Sequence, residues 1–360
     1  MPKVIANADS MYIRATPIPR ALESVQQTFW GMYPKTARTA DFPPPTIITR
    51  SPGEETLFPN DSVCRRFAEI SREYAQRAAD RWNDSKELAY VQKKIGKWMP
   101  NGEKVAVDSH PRLSGIMDTV NSTRGHGKPT KLPREFYDPD LIKFIERIGV
   151  EEWFQGYNES QEYRKLGIGG LVGDIVARMV GSAENNDQFG IEEVGGDDQH
   201  HGVGRGGEKS IRFGLSGCHD TTLAAMLSSL GCFNMEAWPP YTSHVAVELF
   251  RQKGLTPRSD RTPINSGSKF LTWFRGQWPA KEGSDTIGRT PLSKLRDYQK
   301  EKLDGYFVRV RYNDEVMKIP ACKLPGNHLE GDDSFCTLVR LTLTSLLLLH
   351  TEVCRRHSKT

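Results

Sequence analysis

One stretch constrains this chain more than any other: Ile211-Arg212-Phe213-Gly214-Leu215-Ser216-Gly217-Cys218-His219-Asp220-Thr221-Thr222. The apolar run from Ile211 to Leu215 reads as a short buried strand. Ser-Gly closes it, a His and an Asp stand side by side, and Thr221 to Leu230 reads as a helix ended by Gly231. Strand, tight turn, polar pair, helix is how open α/β sheets present a ligand site outside the carboxyl end of a strand. A helix N-terminus there offers unpaired N–H groups and a partial positive charge, which favour an anion such as phosphate. A His at that point can hold a phosphoryl oxygen, and an Asp can hand a proton to a leaving group. Taken alone, the dipeptide reads better as an N-capping Asp220 beside a satisfied turn histidine, so the rest of the chain has to decide.

With 360 residues the chain can bury a sizeable core in one or two domains. Its 49 basic and 45 acidic residues nearly balance, leaving a net charge of +4 and no nucleic-acid footprint. The N-terminus has no apolar stretch of the secretory kind and no Arg-rich amphipathic pattern, so no signal or transit peptide is read and the compartment stays open. Leu338 to Leu349 is the one membrane-like run; it contains Arg340 and is too short to span a bilayer, so it reads as a buried helix or strand or as a spurious tail. Of the six cysteines no pair has CxxC spacing. Cys322 and Cys336 flank a Pro/Gly/Asn-rich loop that a bridge could close, but free thiols are the default expectation without a route to an oxidising compartment.

Along the chain, Tyr12-Ile13 ends a short strand and a helix runs from Pro17 to about Met32, with Leu22, Val25, Phe29 and Met32 as its buried face. Residues 60 to 180 read as mostly helical, with helices over Pro111–Thr123, Asp138–Ile148, Glu151–Arg164 and Leu171–Met179, which suggests a helical cap beside a sheet. The Gly/Asp/Glu-rich stretch after Gly181 reads as a solvated loop. Its His200-His201 pair lacks a carboxylate or Cys at rigid spacing, so no metal site is read there. A strand follows from His244 to Phe250, then a long polar segment, then a hairpin whose arms are Gly305–Tyr312 and Val316–Ile319.

Several separated segments, in order, resemble the histidine acid phosphatase family. Tyr12-Ile13-Arg14-Ala15-Thr16 with Arg20 and Glu23-Ser24 is similar to its Y-x-R-[SA]-T…R…S segment. Ser216 to Leu223 is similar to its G-H-D-T-T-L segment, here with Cys218 before the His. Trp238-Pro239-Pro240-Tyr241, the hairpin leading to Pro320-Ala321-Cys322, and Asp332 to Leu338 continue the likeness. Within the family the look is of the lysophosphatidic-acid-phosphatase-like fungal members. The resemblance implies an α/β fold: a phosphoglycerate-mutase-like central sheet flanked by helices, with a mostly helical cap. Residues 1–59 and 205–338 would form the core, 60–180 the cap, 181–204 and 253–300 flexible insertions, and 339–360 an atypical tail. It also implies roles, with no cofactor and no metal. Arg14 would bind phosphate, its planar guanidinium donating bidentately. His219 would bind phosphate as well, and Asp220 would be the proton donor, protonated under acid conditions. The expected partner is a phosphate monoester or inorganic phosphate.

The family's nucleophile motif, Arg-His-Gly-x-Arg-x-Pro, should precede Arg14, yet only thirteen residues do and none is His. The nearest look-alike, Arg124-Gly125-His126-Gly127, has the wrong order and follows helix-like sequence; His126 is read as a candidate cleft-lining residue or a structural loop histidine. Without the nucleophile, little or no phosphatase activity is expected. Losing a central first strand would also remove buried side chains worth about 1.5–3 kcal/mol each, against a net stability of about 5–15 kcal/mol. Both termini therefore read as edges of an incomplete or mis-spliced gene model. The competing expectations are a fragment of an active phosphomonoesterase, a non-catalytic relative that binds phosphate esters or a protein partner, and an unrelated α/β protein with a chance His-Asp turn.

Overall fold

The computed structural model describes residues 11–42, 45–127, 131–184, 213–253, 287 and 294–346. Its first strand, β1 (Met11–Ala15), is buried at all five residues and leads directly into α1 (Pro19–Met32). Pro at the start of α1 is pre-set for helix and has no N–H to leave unpaired. Ala21, Val25 and Phe29 form its buried face. Met32, expected on that face, is 44% exposed because the last turn runs past the small apolar cluster of Met11, Ile13, Ala15, Val25 and Phe29.

Residues 65 to 184 carry six helices: α2 (Arg65–Trp82), α3 (Lys86–Ile95), α4 (Leu113–His126), α5 (Pro139–Glu159), α6 (Gln161–Gly167) and α7 (Gly169–Glu184). The spine is α5. Asp138 caps it by accepting from the Leu141 N–H at 3.1 Å, and Leu141, Ile145 and Ile148 follow at helical spacing, each at most 1% exposed. Sequence reading breaks this helix after Ile148, but it continues to Glu159. Gly149 is there for close packing and not for a turn: a Cβ would lie 3.2 Å from the Met117 sulfur. The break comes at Ser160, whose hydroxyl caps α6.

The second strand, β2 (Phe213–Gly217), runs parallel to β1 with Ala15 opposite Gly217, and α8 (Asp220–Ser229) follows it. The remaining strands are β3 (Val245–Arg251), β4 (Tyr306–Tyr312), β5 (Glu315–Met317), β6 (His328–Leu329) and β7 (Asp332–Thr337). They form an antiparallel sheet in the order β3-β4-β7-β6, with β5 pairing β4; α9 (Asp297–Glu301) precedes β4 and α10 (Leu338–Leu346) follows β7. The class is therefore α/β, and α10 accounts for the apolar run after Leu338. Among the described residues the strands form a parallel pair and a five-stranded antiparallel sheet. No single described helix is long and apolar enough to cross a membrane.

The cysteine expectation is corrected. Cys322 and Cys336 form a disulfide, their Cα atoms 5.2 Å apart across a 14-residue separation. The pairing of β6 with β7 and the helical turn at Pro320–Cys322 bring both, fully buried, to one place. Cys64 is also disulfide-bonded, while Cys218 and Cys232 are free. His200 and His201, and the insertions around them, lie outside the described residues.

Candidate active site

Parallel pairing of β1 and β2 puts both carboxyl ends at one edge, so the N-termini of α1 and α8 start side by side. Gly217 makes this possible. A Cβ there would lie 2.6 Å from the Ala21 carbonyl oxygen and 2.9 Å from Val25 Cβ, so only glycine lets α1 press this closely on β2. Thr16 lies at the end of β1, fully buried; its N–H donates to the Gly217 carbonyl at 3.1 Å, and its hydroxyl lies 3.1 Å from His219 Nε2.

His219 is the N-cap residue of α8. Its own N–H donates to the Thr222 hydroxyl, which in turn donates to the Leu57 carbonyl. The imidazole is partly buried and edge-on to Phe58. Burial, and after it the positive charge of Arg20, hold its pKa below the ordinary histidine value, while Asp220 and Glu55 pull the other way. Asp220 is exposed. One of its oxygens accepts from the Thr221 N–H at 2.8 Å, and the other accepts from the Trp238 indole N–H at 2.6 Å. Trp238 is itself wedged against Phe154 and Trp153 of α5. Next door, burial pushes the Cys218 thiol up to about 11, so at neutral pH it is a thiol and no nucleophile.

His219 and Asp220 line a cleft of about 1370 Å³ between the β1–β2 edge and the helices α4 and α5. Its walls mix aromatic side chains, including Trp153 and Tyr241 at 43% and 59% exposure, with the arginines Arg20, Arg112 and Arg124.

Two residues picked out from sequence stand elsewhere. Arg14 is 1% exposed and does not line the cleft. Its guanidinium donates to Glu55 at 2.5 Å and to the Thr56 hydroxyl at 3.1 Å, and it lies 3.7 Å from Asp174 of α7, which also pairs with Arg50 at 3.0 Å. His126 is the exposed last residue of α4; its neighbours Arg124 and Gly125 line the cleft in its place. Sequence reasoning missed Glu55, Asp174 and Phe58 altogether. It quoted Trp238, Thr16 and Arg20 without giving them a role.

A family model of the histidine phosphatase superfamily, branch 2, matches residues 2–277. The chain belongs to that superfamily. It is 32% identical over 339 residues to a probable acid phosphatase of Schizosaccharomyces pombe, covering 94% of this chain and 66% of the relative. It is 23% identical over 262 residues to the testicular acid phosphatase of Mus musculus, covering 70% and 54%. The chain thus spans between half and two thirds of the length of these relatives. Among solved structures, the phytase from Citrobacter braakii aligns over 96% of this chain and 80% of its own, at 9% identity and a TM-score of 0.48. In this member of the superfamily the His219-Asp220 turn lines the cleft, and Arg14 is buried outside its lining.

Proposed function

We propose that this chain presents an acid-phosphatase-type site that binds phosphate monoesters or inorganic phosphate at His219, with Asp220 placed as proton donor to the leaving oxygen, and that it turns them over weakly or not at all. The observation that carries the reading is the shared position of the two side chains. Both line the cleft, at the carboxyl ends of two parallel strands where two helix N-termini converge. The aromatic walls would hold the organic part of the ester. Weak turnover follows from the nucleophile inventory. Among the described residues lining the cleft His219 is the one histidine, its Nε2 faces Thr16, and the neighbouring Cys218 stays protonated. In this reading Arg14 supports the site from behind by holding residues 55–57.

The test is phosphate binding by calorimetry together with hydrolysis of p-nitrophenyl phosphate near pH 5, on the 360-residue chain and on Asp220→Asn. The expected result is saturable phosphate binding with little hydrolysis. Robust hydrolysis that Asp220→Asn abolishes would overturn the inactive half of the reading and establish the chain as a working phosphatase. A folded chain that binds no phosphate would overturn the reading as a whole.

A further inference from the structure

We propose that Arg20, on the first turn of α1, is the cation that grips the phosphoryl group beside His219. This rests on the phosphate-site reading above and adds a residue to it. Three arginines line the cleft. Arg112 is committed to Glu152, a short ion pair with a buried carboxylate. Arg124, on the last turn of α4, has no hydrogen bond or ion pair to any described residue, and the carboxyl whose pKa its charge lowers is that of Glu146, which burial raises. Arg20 is exposed and has no hydrogen bond or ion pair to any described residue.

Position supports the same assignment. Gly217 lets α1 pack against β2 at Ala21 and Val25, so the first turn of α1, which carries Arg20, starts at the edge that holds His219, and both side chains line the same cleft. After burial, the charge of Arg20 is the main influence lowering the imidazole pKa. An unpaired cation beside a half-buried imidazole is unfavourable for the protonated imidazole until an anion sits between them. A phosphate dianion would accept from both: the guanidinium fork supplies two N–H donors to two oxygens and the imidazole a third. The charged groups around the imidazole are Arg20 from α1, Asp220 from α8 and Glu55 from the loop before α2. Only Arg20 adds attraction for an anion.

The experiment measures inorganic phosphate binding by calorimetry and the His219 titration by NMR, on the wild-type chain, Arg20→Gln, Arg20→Lys and His219→Asn. Arg20→Gln should weaken binding about 10- to 100-fold, the range expected for a lost charge-assisted hydrogen-bond pair. Arg20→Lys should recover part of it, since it keeps the charge and loses the fork. The thermal midpoint should not move, and the free His219 imidazole should titrate higher in Arg20→Gln. Wild-type binding that Arg20→Gln leaves unchanged would overturn the role of Arg20 and keep the site. Wild-type binding that neither Arg20→Gln nor His219→Asn alters would place phosphate elsewhere and overturn both, as would no binding at all.

Discussion

The β1–β2 pair that carries the site and the helical region that faces it are held together by different means. Around β1 and α1 only five buried apolar residues cluster; among α2 to α5 there are sixteen, from Ala78 to Ile148. What the small cluster lacks in apolar burial is supplied by directed polar contacts: Arg14 with Glu55 and Thr56, Thr56 with Asp174, Thr222 with the Leu57 carbonyl. Packing is non-directional and degrades gradually when trimmed, whereas a buried ion pair fails abruptly when one partner goes. The β1 side of the site therefore rests on ties sensitive to a single wrong side chain, whereas α8 packs through Ala224 to Leu227 into an apolar cluster shared with Val150 and Phe154 of α5.

The largest expected effect breaks this contrast if it is wrong. Glu55→Gln leaves Arg14 buried with Asp174 at 3.7 Å as its nearest carboxylate, and should cost about 3–5 kcal/mol. Ile145→Val in the helical cluster should cost about 0.5–1.5 kcal/mol. Urea denaturation of the two variants compares them directly, and equal losses would show that the polar ties are incidental. Next comes the Cys322–Cys336 bridge in the antiparallel sheet. Replacing both cysteines by alanine opens a loop of 14 residues' separation and should cost about 3 kcal/mol in the chain-entropy account. Thermal melts of oxidised and reduced wild type against the double variant would sharpen the comparison, because the loss belongs to that sheet while phosphate binding at His219 should persist.

The smallest effect is a pH dependence. The folded His219 imidazole titrates below the unfolded value of about 6.5. As pH falls through that value the unfolded chain takes up a proton that the folded chain refuses. The contribution of His219 to stability is thus full above about pH 6.5 and is lost as pH falls through the folded pKa. His219→Asn should flatten the decline in melting temperature between neutral and acid pH; an unchanged slope would mean that other groups set it.

Much of this was legible in the sequence, and the reason is locality. The His219-Asp220 turn, α1, α8 and the β4–β5 hairpin each announce themselves within a dozen residues, through periodicity, proline placement or turn residues. The misses are of two kinds. Gly149 and Met32 mislead because their environment is tertiary: a glycine wanted for contact with Met117 looks like a helix end, and a methionine in register with a buried face extends beyond the cluster it should join. Glu55 and Asp174 are invisible for a stronger reason. They pair with Arg14 across 41 and 160 positions, and a carboxylate in a polar loop or an apolar helix carries no sign of a distant partner. The phosphate role of Arg14 came from the resemblance, which carries no information about these two partners. The Cys322–Cys336 bridge is left open by the sequence, because the β6–β7 pairing that closes it involves a strand of two residues.

Glu55, Thr56 and Leu57 are consecutive, yet they attach to three different chain segments: the first two to Arg14 at the end of β1, Thr56 also to Asp174 of α7, and Leu57 to Thr222 at the start of α8. A tripeptide that holds three neighbours at once cannot let go of one alone. If it lifts, the buried guanidinium loses its closest carboxylate and the helix that presents His219 loses its tie in the same event. The base of the site should then open as one cooperative unit, with the amides around Arg14 and those at the head of α8 sharing a single opening free energy.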